Sequence, residues 1–446
     1  MRIHMLSIGT TGDVMPMIIM GMELQRRGHV VRIAAFEPLG KAIRAAGLEF
    51  YCLPGDAYKY IGTLIQPGGN PVAFVYHLTK SLRQLIEPLT RALMEASQGA
   101  DALVLTYFGS MGYSIAEKLT IPCFQLHYYP MDISSDVPQA IMPPLRLGAA
   151  YNRLTYSLTY LTVGGLEYHY LHRWRKLNGV RARRIRTRPD YTIGQWQIPV
   201  LYAISQQLVP RSLDWPRNIK MIGFIQPKEP APYEPSPALK AFLDQEPKPI
   251  YIGFGSMTSG DMNAALEMTV TSLKQLGMRA VMIKGWGGAS QDSRIPERVR
   301  QCDQLFLVDF VPHSWLFRHV RAVVHHGGAG TTAAGLHAGL PTLVIPFGGD
   351  QPFWGEQIYR HGLGPKPIPR EKLEEERLTR ALCQLVHNPI YTENAQYIAK
   401  HLHLEDGAAE ASSIIERECA LFSRSMAEHR TRSRLKARWS RTINVK

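Results

Sequence analysis

Two doubly wound α/β domains facing a cleft are what the sequence predicts, on three observations. Short β-branched runs alternate with helical runs at both ends of the chain, a Pro-dense stretch separates the two series, and Gly-rich turns stand where strands give way to helices. The 446 residues are too many for one ordinary core and suit two of roughly 200 residues each.

Arg2 to Ile8 reads as a strand and Val14 to Arg27 as a helix ended by Gly28. Val30 to Phe36 is a second strand, followed by a helix from Pro38 to Ala46 that Gly47 ends. Leu103 to Thr106 and Pro122 to Leu126 are later strands. Prolines at 216, 227, 230, 232, 235, 237, 247 and 249 then block regular structure, so 216–248 is expected to be a linker. The rhythm restarts at Pro249 to Phe254, which Gly255-Ser256 follow, and at Ala280 to Ile283, which Lys284-Gly285-Trp286 follow. Leu305 to Val308, Ala322 to His325 and Thr342 to Pro346 complete the second series, and Ala408 to Ser423 is a strong final helix. The expected division is an N-terminal domain over 1–215, the linker, a C-terminal domain over 249–405, the helix within 406–423 and a basic tail over 424–446. Ligands of such sheets bind beyond the carboxyl ends of the strands, which places the site in the cleft.

Composition narrows the class. The hydrophobic share of 45% with 20% charged residues is that of a soluble globular protein. Cys52, Cys123, Cys302, Cys383 and Cys419 are scattered without ligand spacing, so neither a zinc site nor a disulfide framework is expected. The start, MRIHMLSIGTTGD, is no signal peptide, and no uncharged apolar stretch reaches the ~20 residues of a membrane span. A cytoplasmic protein is expected, at most peripheral to a membrane. The net charge of +14 is concentrated in the tail, with Arg424, Arg430, Arg432, Arg434, Lys436, Arg438, Arg441 and Lys446 against Glu428, and in Arg181, Arg183, Arg184, Arg186 and Arg188. A solvated, partly disordered tail and a basic loop explain this. Attraction to an anionic membrane is the sharper reading. No nucleic-acid recognition motif accompanies the charge, and no such partner is expected.

The densest signal is HHGGAGTTAAGLHAGLPTLVIPFGGDQPFWGEQ, from His325 to Gln357. It begins where a buried strand should end. Gly327, Gly328 and Gly330 let the backbone approach a ligand, and Thr331-Thr332 open a helix whose free N–H groups favour a diphosphate. His326 stands at the lip of the turn with a ring N–H for a phosphate oxygen. After the next strand, Asp350 and Gln351 set a carboxylate beside an amide, a pair able to grip sugar hydroxyls that both donate and accept.

This stretch resembles the donor-binding signature of family 1 glycosyltransferases of the GT-B architecture, and within them the sterol glucosyltransferases. The plant HCGWNS-type version is absent. The resemblance spans most of the chain. It implies two Rossmann-like domains, with the C-terminal helix crossing back to the first. It also implies backbone contacts from Val311 to a uracil, and His313 and His326 flanking ribose and diphosphate. Gly328, Ala329, Gly330 and Thr331 would hold the phosphates, with Ser256 beside them, and Asp350 and Gln351 the sugar. Lys284 departs from the small residue expected before Gly-Trp-Gly. The N-terminal Ser7-Ile8-Gly9-Thr10-Thr11-Gly12-Asp13-Val14-Met15-Pro16 resembles the family's GSxGDVxP loop, with Thr10 and Thr11 facing the donor.

Asp13, at a strand-to-helix turn, is the expected general base, since an alcohol is a poor nucleophile until its proton is being removed. Single displacement at the anomeric carbon inverts configuration. Charge growing on the leaving diphosphate needs stabilisation. The chain holds no Asp-x-Asp, so the helix start and the two histidines are expected to supply it without a metal. The co-substrate is expected to be UDP-glucose, with no cofactor. The acceptor is expected to be lipophilic, a sterol or triterpenoid, because Pro71 to Leu93, Tyr107 to Tyr113 and Phe124 to Pro144 are rich in apolar residues. Phe108, Tyr128, Tyr129, Met131, Ile141 and Met142 are its candidate contacts, and Tyr151 to Leu171 a helix that lines the pocket or rests on a membrane. Macrolide, polyketide or glycolipid acceptors, with UDP- or dTDP-sugars, fit the same residues. An epimerase on a UDP-sugar is a further alternative. An NAD-type oxidoreductase gains from Glu37 after the second strand but loses because GTTG lacks the G-x-G-x-x-G spacing.

Overall fold

The computed structural model describes residues 1–55, 87–106, 110–180, 192–193, 196–229, 232–253, 261–283 and 296–443. Two all-parallel sheets organise them. The first has seven strands: β1 Arg2–Leu6, β2 Val30–Phe36, β3 Glu49–Leu53, β4 Ala102–Leu105, β5 Cys123–His127, β8 Val200–Tyr202 and β9 Ile219–Met221. Their order is β3-β2-β1-β4-β5-β8-β9. A separate two-stranded ribbon joins β6 Thr192–Ile193 to β7 Trp196–Gln197. The second sheet comprises β10 Ile250–Gly253, β11 Ala280–Ile283, β12 Leu305–Val308, β13 Val323–His325 and β14 Thr342–Val344, in the order β12-β11-β10-β13-β14. Strand order reverses between β1 and β4 in one sheet and between β10 and β13 in the other. The loops after β1 and β13 therefore open at the switch points where such sheets bind ligands.

Helices cover both faces of each sheet, which is why the strands read as nearly continuous apolar runs. In the first domain α1 Thr11–Arg26, α2 Gly40–Ala45, α3 Ser110–Leu119 and α4 Ala149–Leu177 do this. In the second, α5 Pro237–Leu243, α6 Asp261–Leu276, α7 Ala329–His337, α8 Gln351–Arg360, α9 Glu375–His387 and α10 Pro389–Leu402 follow. The last helix, α11 Gly407–Ile443, returns to the first domain. Its Ala411, Ile414 and Ile415 are buried in the core of β1, β2 and α1. Arg27 bridges α1 to Glu416 at 3.0 Å, and His29 meets the same carboxylate at 2.8 Å. The expected crossing of this helix is thus present.

The domains share a core in which Tyr202, Trp215 and Phe224 pack with Leu336, Trp354 and Ile358. Their facing edges are therefore held by buried apolar contact as well as by the chain.

Two expectations change. The Pro-rich segment 216–248 is not free of regular structure: β9 adds to the first sheet beside β8, and α5 packs Leu239 and Leu243 into the second core. Pro237 takes the first helical position, where no N–H is needed, and the Ser236 hydroxyl accepts from Leu239 N at 3.2 Å. The final helix does not stop at Ser423 but continues through the basic segment to Ile443. Side chains beyond Met426 lie outside the description, as does the arginine cluster 181–188.

Candidate active site

The first half of the site grows from the end of β1. Thr10 is the N-cap of α1, and Asp13, at its third position, accepts from Thr10 N through Oδ2 at 2.8 Å. Gly9 admits no larger residue: an added Cβ would lie 2.1 Å from Asp13 Oδ2. Tyr128, beyond β5, donates its hydroxyl to the Asp13 carbonyl at 2.7 Å and so ties the helix start to the neighbouring strand end. Burial pushes the Asp13 carboxyl up to about 6, against the lowering pull of the Thr10 N–H. Thr10 and Thr11 border the same opening, both half-buried.

The second half grows from β13. Gly327 has φ +95°, and its N–H donates to His325 Nδ1 at 2.9 Å. The helix begins at Ala329, two residues before the Thr331 expected, with Gly328 as its N-cap. Thr332 N closes the first helical bond, to Gly328 O at 3.0 Å. The N–H groups of Ala329, Gly330 and Thr331 thus have no partner in their own helix, and the helix dipole adds its positive end there. Ala329 packs against the core of the first domain, so this anion-ready start lies at the domain boundary.

Two histidines stand by it. His326 lies against Gly328, where an added Cβ would be 2.6 Å from Nε2, and its Nδ1 is buried without a partner among the described residues. His313 meets the Tyr251 hydroxyl through Nε2 at 2.9 Å and stacks on Phe317 at 4.8 Å. Burial holds both imidazoles down at about 4. They are neutral at pH 7, able to donate an N–H but not to bring a charge. The Val311 side chain is buried in the second domain's core, leaving its main chain as the part a base can reach.

Asp350 and Gln351 follow β14. The Gln351 carbonyl oxygen Oε1 accepts from Phe347 N at 2.8 Å and Gly348 N at 3.3 Å. With Oε1 so engaged, the NH2 group of the amide is the part left to meet a sugar hydroxyl. Asp350 accepts from the indole of the fully buried Trp354 at 3.1 Å. Burial pushes the Asp350 carboxyl up to about 7, and the Asp13 charge across the cleft adds to the rise. Two carboxyls from opposite domains are thus in electrostatic reach, and the space between them is where a sugar and an acceptor would meet.

Such a carboxyl costs stability once ionised. Its folded state prefers the proton, so the stability it contributes is complete below pH 4 and is lost as pH rises through about 7. Asp350→Asn is expected to raise the unfolding free energy at pH 8 by roughly 1–3 kcal/mol, trimmed by the water that still reaches the group, and to change nothing at pH 4. Melting curves at the two pH values check this.

Of the acceptor candidates, Phe108 lies outside the described residues, as do Ser256 and Lys284. Tyr128 and Met131 are buried: the Tyr128 hydroxyl donates to Asp13 O, and Met131 O accepts from the Tyr160 hydroxyl at 2.6 Å. Tyr129, Ile141 and Met142 keep partial exposure. Sequence reasoning missed Tyr251 and Trp354, which orient His313 and Asp350. Gly253 was a signal for the first, because an added Cβ there would meet the Tyr251 hydroxyl at 2.0 Å.

Facing Rossmann-like domains with a diphosphate-ready helix start at their boundary define the GT-B architecture. Solved structures agree on the fold. The glycotransferase of kitacinnamycin superposes with a TM-score of 0.66 at 19% identity, covering 94% of this chain and 99% of its own. SnogD from Streptomyces nogalater gives 0.62 at 19%, covering 94% and 99%. Residues 3–131 match the glycosyltransferase family 28 N-terminal domain, and residues 280–417 match the erythromycin biosynthesis protein CIII-like C-terminal domain. Sterol 3-beta-glucosyltransferase UGT80A2 of Arabidopsis thaliana is 34% identical over 92% of this chain and 64% of its own length. UGT80B1 of the same plant is 32% identical over 94% and 68%, and the Yarrowia lipolytica sterol 3-beta-glucosyltransferase 32% over 96% and 29%. The chain belongs to the sterol 3-beta-glucosyltransferase family. It spans about two thirds of the plant relatives' length and under a third of the fungal one's. Membership sets the dehydrogenase alternative aside, and Glu37, its ribose ligand, instead sits largely exposed 3.6 Å from Arg44.

Proposed function

We propose that this protein transfers glucose from UDP-glucose to the hydroxyl of a lipophilic acceptor, a sterol or triterpenoid, with inversion and without a metal. The observation that carries the reading is the pairing of Asp13, raised to about 6, with Asp350 of the opposite domain, beside the free N–H groups that start α7. The acceptor oxygen attacks the anomeric carbon from the face away from the diphosphate. The new C–O bond forms as the bond to UDP breaks, the hydroxyl proton passes to Asp13, and the electron pair leaves on the diphosphate. Charge growing there meets the N–H groups of Ala329, Gly330 and Thr331 and neutral donors from His313 and His326. Asp350 and the Gln351 NH2 hold sugar hydroxyls. The partial exposure of the apolar side chains Tyr129, Ile141 and Met142, and the similarity to plant sterol 3-beta-glucosyltransferases, support the acceptor class.

Thermal unfolding with UDP, UDP-glucose, dTDP-glucose and NAD, each with a chelator, tests the donor. A nucleotide at about 100 times its Kd adds roughly 2.7 kcal/mol. UDP and UDP-glucose are expected to raise the melting temperature and NAD to leave it unchanged. A response to NAD alone, or to no nucleotide, overturns the reading. Transfer to a sterol that stops on chelation overturns metal independence.

A further inference from the structure

One buried hydroxyl at the site works on a histidine alone. Tyr251, on β10, is 3% exposed, and its hydroxyl lies 2.9 Å from His313 Nε2. That hydroxyl has no other partner among the described residues. Gly253 makes room for it, since an added Cβ there would lie 2.0 Å from the phenol oxygen. His313 opens the short helix His313–Leu316. Its ring stacks on Phe317 at 4.8 Å and 15°, and the Tyr251 ring meets it edge-on at 5.2 Å and 75°. Two aromatic neighbours thus fix the plane of the imidazole, and one hydroxyl fixes its direction.

Counting protons decides the tautomer. Burial holds His313 down at about 4, so at pH 7 its ring carries one N–H and one lone pair. Burial also raises the Tyr251 phenol, which therefore keeps its proton. If Nε2–H donated to the phenol oxygen, the phenol proton would be buried with no acceptor among the described residues, at the full desolvation cost of that group. If the phenol donates to the Nε2 lone pair, the proton between the two rings is used and Nδ1 carries the other, because the bond made by one ring nitrogen sets the state of its neighbour. Nδ1 has no partner among the described residues and, unlike His326 Nδ1, is not sealed from solvent. His326, beside the start of α7, is close enough to lower His313 further, so the two rings are neighbours at the site. We infer that Tyr251 is a positioning residue: it fixes His313 in the Nδ1–H form, and that N–H is the one offered to an oxygen of the nucleoside diphosphate donor. The use of the N–H rests on the proposed donor site, whereas the tautomer does not.

The test is magnetic resonance of the full chain with isotopically labelled histidine nitrogens, using two-bond proton–nitrogen spectra that separate a protonated ring nitrogen from a bare one. The signals missing from His313→Gln identify His313. The wild type is expected to carry the His313 proton on Nδ1, and UDP to shift that resonance. Tyr251→Phe keeps the ring and its packing and removes only the hydroxyl. It is expected to lose the single Nδ1–H form, as the ring moves toward the Nε2–H form that free histidine favours, and to bind UDP about tenfold more weakly. Urea unfolding of the variant is recorded beside these, since a role in packing alone would lower stability and leave the tautomer unmoved. A wild-type proton on Nε2 overturns the inference, and that spectrum decides the matter even where the variant fails to fold. So does a Tyr251→Phe protein that keeps the wild-type tautomer, or one that loses it and still binds UDP as tightly. An Nδ1–H signal in a protein that UDP neither shifts nor stabilises leaves the tautomer standing and removes the nucleotide reading.

Discussion

Asp13→Asn is expected to lower kcat for sugar transfer by about 10³-fold while the UDP-induced melting shift stays at its wild-type size. Asparagine keeps the shape and can still accept the Thr10 N–H that Asp13 Oδ2 accepts at 2.8 Å, so the helix start should survive. What it cannot do is take a proton. The pH dependence carries the same signature. Burial raises the Asp13 carboxyl to about 6, and a base works only when ionised. In the wild type kcat/KM should therefore climb as pH rises through about 6 and level off above it, and the residual rate of Asp13→Asn should lack that step. A variant transferring within tenfold of wild type would remove Asp13 from the role of base.

Gly327→Ala is expected to cost roughly 3 kcal/mol or more of stability and to weaken UDP binding strongly. Glycine is required there twice over. Its φ of +95° is one that a residue with a Cβ rarely adopts, and the added atom would lie 2.7 Å from Val344 Cγ1 and 2.9 Å from the Gln351 carbonyl oxygen. The backbone oxygen cannot turn aside as a flexible side chain does, so β14, the start of α8 and the turn before α7 must shift together. Gly330→Ala is the control. A Cβ there meets nothing within 4 Å, so its stability should hold while a bound diphosphate is crowded. Urea unfolding and UDP titration of both variants separate the effects. A Gly327→Ala protein with wild-type unfolding and affinity would show that the turn tolerates the strain.

Much of the site was legible because its parts are local. The strand, glycine turn and helix start around His325 to Thr331 are consecutive in sequence, as are Thr10 and Asp13, and each segment carries its own hydrogen-bonding logic. The helix crossing back to the first domain came from resemblance, and the pairing of Arg27 with Glu416 supplies its physical reason. What pattern reading did not show was side-chain detail: the Gln351 side-chain oxygen is engaged by the N–H groups of the turn just before it, and proline density at 216–248 concealed a helix because Pro237 falls at its first position, where no N–H is needed.

The sequence by itself determined the class of fold and the strand–turn–helix segments that border the cleft, since periodicity, glycine placement and first-turn chemistry act within a few residues. Only the tertiary structure decided how those groups are tuned. Asp13 and Asp350 lie 337 positions apart in the chain; burial raises both carboxyls, and for Asp350 the Asp13 charge across the cleft adds to the rise. Tyr128 reaches Asp13, and Tyr251 reaches His313, through the same kind of long-range contact. Burial and electrostatic coupling depend on distance in space, which local sequence patterns do not encode.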